Sequence, residues 1–236
     1  MKHGIKMGKR IFWIILYGWA ILYHGLLWIH VFNNGTTIDL AIATMALGLL
    51  VIWGGMFGVI QSIIIKKVNP IKLTNLKFFL LMIFSMTGLA LSAEVVSTSM
   101  TNTAYLWGLS PYDAYITASP NYIEVVTRHS VIVFIPQFLG VALLHHRYQF
   151  KAFAWFIIYG FIGYLNEWLA FGAAASWVSI PFWMIVYGWI IHLPTHSFIP
   201  EKERIQVKFY HYLFAVALPL ALSIPWALFI IEWLHR

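Results

Sequence analysis

Two carboxylates and five histidines are the residues of this 236-residue chain whose type and position could do chemistry. Glu94 sits in LSAEVVSTSM, after the run KFFLLMIFSMTGLA, and Glu167 sits in GYLNEW. A carboxylate at the centre of a membrane span costs between ~2.5 and more than ~10 kcal/mol, so each needs a partner, a proton or a task. The histidines are His145 and His146, then His192 and His196, then His211. Imidazole titrates near neutral pH, so such a set can hold and pass on protons, or bind a metal. The HLPTH stretch has the HxxxH spacing of membrane di-iron oxygenases, which need several such boxes. Pro194 inside it stands against a regular helical ligand pair.

Composition fixes the setting of these groups. Hydrophobic residues make up 61% of the chain and charged residues 10%, with a mean hydropathy of +0.79, whereas soluble domains carry about 25% charged residues. An all-α, polytopic integral membrane protein follows. Twelve Trp, twelve Tyr and eighteen Phe, many near the ends of apolar runs, suit headgroup-level aromatic belts. The absence of cysteine removes disulfides, thiolate metal ligands and cysteine nucleophiles. The formal charge of +7 does not point to nucleic acid, because the basic residues flank apolar spans, where they orient a membrane protein.

Crossing ~30 Å of hydrocarbon takes about 20 apolar residues per helix. Seven such stretches are expected, over residues 11–32, 40–65, 78–100, 123–145, 152–172, 177–197 and 209–233, forming one membrane domain over 1–236. The first is too long for a cleaved signal peptide and is read as a span. Lys2, Lys6, Lys9 and Arg10 precede span 1, and Lys66, Lys67, Lys72 and Lys77 fill the link after span 2. Arg147 and Lys151 follow span 4, and Lys202, Arg204 and Lys208 precede span 7, so all but Arg128 and Arg236 of the fifteen basic residues share one side. The positive-inside rule then places the N-terminus in the cytoplasm and the C-terminus outside. The link 101–122, with Gly108, Pro111 and Pro120, reads as an outer loop.

Orientation sorts the polar residues by depth. At ~1.5 Å per residue, Glu94 lies ~25 Å above Lys77 and Glu167 lies ~24 Å above Lys151, which puts both acids in the outer half with His24, His30, Glu124, Arg128, His129, Asn166 and Glu232. The five histidines form a second, cytoplasmic layer. An uneventful account also fits each group: interhelical contacts for the acids, and interfacial side chains with wet tips for the histidines. Span 7 offers no retinal lysine after Lys208, paired haem histidines at matching depth are missing, and HExxH, GxSxG and phosphate-cradling glycine loops do not occur.

On these elements the chain resembles subunit III of the haem-copper oxygen reductases, the cytochrome c and quinol oxidases. The third span carries Ser92, Ala93, Glu94 and Val95, leading to Tyr105, Trp107, Ser110 and Pro111. The fourth ends in Leu144, His145 and His146, and the fifth carries Glu167. The sixth holds Gly188, Trp189, His192 and His196; the last opens with Tyr210, His211 and Tyr212 and reaches Trp226 and Trp233. His30 stands near the end of span 1.

The resemblance implies a non-catalytic subunit of a terminal oxidase in the cytoplasmic membrane of a prokaryote. It implies that haem and copper belong to partner subunits, with no cofactor in this chain. It also implies packing against the catalytic subunit I, and phospholipid bound in a cleft between the first two helices and the other five. In that scheme Glu94, Glu167, His30 and Trp107 serve lipid or subunit interfaces. His145, His146, His192, His196 and His211 collect protons for uptake. Two other readings compete: a stand-alone membrane enzyme acting on a lipid or isoprenoid with Glu94 and Glu167 as acid groups, and a seven-span transporter.

Overall fold

In the computed structural model, which describes residues 2–171 and 176–234 and the side chains of 7–169 and 176–230, the apolar runs become helices. The side chains of Lys2, Lys6, Glu232 and Trp233, used in reading the sequence, lie outside the described residues. Helix α1 (Lys2–Asn34) stops at an Asn-Asn-Gly break, and Thr36 caps α2 (Thr37–Lys67). The Thr36 hydroxyl accepts from the Asp39 N–H at 3.3 Å, and the Asp39 carboxylate accepts from the Thr36 N–H at 2.7 Å. This reciprocal capping box satisfies two groups that a helix start leaves bare. Thr36→Ala is expected to cost about 1 kcal/mol in a denaturant titration. An unchanged midpoint would mean that the bilayer alone sets where α2 begins.

Helix α2 is not uniform, because Leu50–Phe57 is π-helical. Within this wider turn the Gly54 carbonyl accepts the Tyr17 hydroxyl of α1 at 2.8 Å. The neighbouring Trp53, fully buried, donates its indole N–H to the Val186 carbonyl at 2.8 Å. A π turn is therefore where the second helix is fastened to the first and to the later bundle.

Helix α3 (Asn75–Thr101) passes into a 3-10 turn over Asn102–Trp107 and stops at Gly108, whose φ of +70° suits a residue without a Cβ. The expected fourth span is broken: α4 (Tyr122–His129) meets α5 (Val131–Arg147) at a 49° bend. The break falls at Ser130, whose N–H bonds back five residues to the Val125 carbonyl at 2.9 Å, in a π turn over Val125–His129. Helices α6 (Ala152–Phe171), α7 (Ile180–Ser197) and α8 (Phe209–Leu234) complete the bundle. Pro194 does not end α7, which runs on to Ser197; the Thr195 hydroxyl bonds back to the Ile191 carbonyl at 2.8 Å.

Among the described residues, five helices are long and apolar enough to cross a membrane, and the bent α4–α5 pair makes a sixth if counted as one span. The chain is thus an all-α integral membrane protein. Helix α6 forms where the fifth span was expected, but Tyr159, Tyr164, Asn166, Glu167 and Trp168 make it less apolar and it is not one of the five. Its packing on α7 is glycine-tight. A Cβ on Gly160 would meet the Met184 backbone at 2.8 Å, and one on Gly188 would meet the Phe156 ring at 2.7 Å.

The basic ends of the helices are tied together by a small cap. Strand β1 (Ile71–Leu73) pairs in parallel with β2 (Phe198–Pro200), and Tyr148 bridges to Ile205. The links after α2, α5 and α7 therefore share one hydrogen-bonded layer.

Candidate functional site

At the end opposite the cap, Glu94 of α3 and Glu167 of α6 are half-buried. Glu94 Oε2 accepts the Ser97 hydroxyl at 2.8 Å, with Ser130, the residue at the helix bend, also beside it. Glu167 Oε1 accepts a short hydrogen bond from the Tyr187 hydroxyl of α7. Gly163 makes room for that tyrosine, since a Cβ there would collide with the Tyr187 ring. The structure thus gives each acid a hydroxyl donor. His30 is exposed and Trp107 is half-buried; Trp107 packs near Ala41, Met45, Ala104 and Ala114.

A closed polar network lies deeper in the bundle, and the sequence reading missed its centre. The Gln137 side chain, 1% exposed, donates to Asn166 Oδ1 at 3.1 Å and to Ser223 Oγ at 3.0 Å. Its carbonyl oxygen accepts from the Tyr159 hydroxyl at 3.1 Å and from Asn166 Nδ2 at 3.3 Å. Two donors and two acceptors are all that a glutamine amide has, so Gln137 is saturated. It joins α5, α6 and α8 and leaves no free group for a ligand. The visible signal was a lone uncharged amide in FIPQFLG, which a search for ionisable residues passes over.

At the cap, the five histidines divide by what holds them. The buried His145 receives the Trp155 indole N–H on Nδ1 at 3.0 Å, so that nitrogen carries the lone pair and Nε2 carries the hydrogen that reaches the Phe198 carbonyl at 3.3 Å. Both nitrogens of the neutral ring are used. His146 Nε2 donates to Asn75 Oδ1 at 2.9 Å. His211 Nδ1 accepts the Lys208 N–H at 2.8 Å and closes the start of α8. His196 Nε2 donates to the Val68 carbonyl at 3.3 Å. His192 differs, because its Nδ1 is buried without a hydrogen-bond partner.

His145, His192 and His196 share one cleft of about 670 Å³, open at the basic end. Its walls come from α1 (Lys9, Trp13), the end of α2 (Ser62, Ile65, Lys66), the link after α5 (Gln149 to Lys151), the start of α6 (Ala152, Phe153), α7, Ile199 and Arg204. Lys9 is placed by its ammonium lying 5.2 Å from the centre of the Phe153 ring. Arg204 is half-buried and reaches the His145 carbonyl at 3.5 Å; burial pulls its guanidinium down from the usual arginine value. His146 and His211 do not line this cleft. No group of three or more His, Cys, Asp or Glu able to hold a metal ion occurs among the described residues.

Compared with protein-family models, curated proteins and solved structures, the chain matches none.

Proposed function

We propose that the chain is the non-catalytic subunit III of a terminal haem-copper oxidase. In this reading it has seven spans, with the N-terminus in the cytoplasm and the C-terminus outside, and lies in the cytoplasmic membrane of a prokaryote. It packs against the catalytic subunit I, whose complex carries the haem and copper, holds phospholipid and supports proton uptake. The observation that supports it best is the cleft at the basic end, walled by the first two helices on one side and the later bundle on the other. That is where the resemblance implies bound lipid.

The same geometry narrows the proton-supply role. His145 and His211 each spend an imidazole lone pair on an N–H, so taking up a proton would break a hydrogen bond. His196 lines the cleft with its Nε2 donating and no lone pair spent on an N–H, and in this reading it is the histidine through which protons would pass. Glu94 and Glu167, each with a hydroxyl donor, act in this reading as interface groups rather than as acids in a reaction.

The test is purification in mild detergent followed by a visible spectrum and metal analysis. Haem and copper travelling with the chain in fixed proportion support the reading, and a colourless solitary chain overturns it. One observation favours a transporter instead: the 49° break in the fourth span lies beside Glu94. Solute or ion flux through vesicles containing this chain alone would establish that alternative.

A further inference from the structure

The broken fourth span lies against one side of α3, and the contacts on that side show which residues look at the break. The Leu91 carbonyl accepts the Tyr122 hydroxyl of α4 at 3.3 Å. About three turns further on, the Asn102 amide donates to the Pro120 carbonyl, just before α4, at 3.0 Å. Residues three or four apart share a helix face, so Leu91, Glu94, Thr98 and Asn102 form one stripe. Glu94 and Thr98 lie between the two contacts and are therefore turned toward α4 and the bend at Ser130.

What gathers there is oxygen. Ser97, in the next turn of α3, gives its hydroxyl hydrogen to Glu94 Oε2 at 2.8 Å, and Ser130 stands beside the same carboxylate. The Ser130 hydroxyl also donates to the Val125 carbonyl at 3.3 Å. A hydroxyl that has donated its one hydrogen still presents two lone pairs, so both serines are left as acceptors. Thr98, 4% exposed, carries a buried hydroxyl with no hydrogen-bond partner. Burying a hydroxyl without a partner costs free energy, and a ligand accepted there would offset that cost.

The negative charge at this spot is uncompensated. Glu167 is close enough for its charge to repel that of Glu94, and it is already held by Tyr187. No Lys, Arg or His bonds to either acid among the described residues, whose ion pair is the exposed Arg128 with Glu124. A carboxylate between membrane helices needs a counter-charge or a proton. We infer that Glu94, Ser97, Thr98 and Ser130 form a binding site for one small monovalent cation of the sodium class, seated in the angle of the broken span. A proton would neutralise Glu94 and leave the Thr98 hydroxyl bare, whereas a cation uses all four groups. Calcium takes about 6–8 oxygens, and softer metals take nitrogen or sulfur ligands, so one carboxylate with three hydroxyls suits a monovalent ion. Interrupted helices are a recurrent setting for such ions in membranes. The inference goes beyond the proposed function and does not rest on it.

Direct binding of sodium tests it. The full chain, purified in mild detergent with whatever subunits accompany it, is titrated with radioactive sodium in choline chloride at constant ionic strength. Saturable binding is expected, displaced by unlabelled sodium and not by the bulky choline. Glu94→Gln removes the charge and should abolish it. Thr98→Val keeps the size and loses the hydroxyl, and should weaken it about tenfold or more, the usual effect of disturbing the groups around a metal. Glu124→Gln, in the exposed ion pair, should leave it unchanged. A ligand that binds only the folded chain stabilises it, so the unaltered protein should melt at a higher temperature in sodium chloride than in choline chloride. Glu94→Gln should melt at the same temperature in both.

Absence of saturable sodium binding to the unaltered chain would overturn the inference, as would binding that persists in Glu94→Gln. If Glu94→Gln does not fold, the pair Thr98→Ser and Thr98→Val decides, because the two differ in whether the hydroxyl is kept: equal sodium affinity is then the overturning result. The infrared carboxyl band of Glu94 separates a cation from a proton. A protonated band that stays when sodium replaces choline at neutral pH would assign the site to a proton and overturn the cation. Sodium binding by a colourless preparation removes the oxidase reading and leaves this one standing.

Discussion

Gly163→Ala is expected to push α6 away from α7 and to lower stability by about 1–3 kcal/mol, the usual penalty for forcing an extra methyl into a packed core. The added Cβ has no open direction, because it would run into the ring of Tyr187. Tyr187 cannot swing aside freely, since its hydroxyl is bound to Glu167 and its ring meets Phe134 edge-on at 5.6 Å. A second effect follows: moving Tyr187 takes the donor away from a half-buried carboxylate. Unfolding in a mixed detergent titration measures the first effect, and the infrared carboxyl band of Glu167, identified with Glu167→Gln, measures the second. Gly88→Ala is the matched control. Nothing lies within 4 Å of its Cβ position, so the helix-favouring change should be neutral or stabilising by up to about 1 kcal/mol. Equal behaviour of the two variants would refute the tight α6–α7 contact.

Gln137→Leu is expected to be the most damaging single change outside the glycines. The substitution keeps the volume roughly constant, so it tests hydrogen bonding with little change in packing. Interhelical hydrogen bonds in membranes average about 0.6 kcal/mol and reach about 1.7, so four lost bonds predict a loss of about 2 kcal/mol or more. The loss is also non-additive, because Tyr159, Asn166 and Ser223 meet only through this amide. Ser223→Ala removes one bond and should cost well under half as much, and in a Gln137→Leu background it should cost almost nothing. Additive losses in the double variant would show that the three contacts act separately.

Much of the helical layout is visible in the sequence because hydrocarbon thickness and helix rise leave few ways to place long apolar runs. The stops are visible too: Asn33-Asn34-Gly35 before Thr36, and Gly108 after Trp107, both carry local chemistry that ends a helix. The bend at Ser130 is not. Pro136, the obvious breaker in that span, lies a full turn and more beyond the break, and the π turn that makes the bend comes from bond register, which no residue type announces. Pro194, which stands against a regular HxxxH helix in the sequence, lies inside α7 without ending it.

The candidate site was legible by residue and not by arrangement. His145, His192 and His196 do meet, as their places at helix ends suggested, but His146 and His211 turn away into tethers. Which histidine nitrogen is left bare depends on partners as distant in sequence as Val68 and Trp155, and one-dimensional spacing does not encode them. The cations of the cleft read, in the sequence, as topology signals. Their convergence on one cavity is a property of the cap, whose three-residue strands are too short to leave a pattern of their own.

That cap also sets a timetable for synthesis. His196 bonds to the carbonyl of Val68 across 128 residues, next to the strands that join the same two links. At ~5–20 residues per second, about 6 to 25 seconds pass between emergence of the two halves of the latch. Through that interval the first three helices sit in the bilayer with their links untied, held by lipid and by one another. A chain cut short before Phe198 would stay in that state, with the Ile71–Leu73 edge bare. The latch therefore distinguishes chains that have been made past Pro200 from those that have not, at the basic ends of the helices.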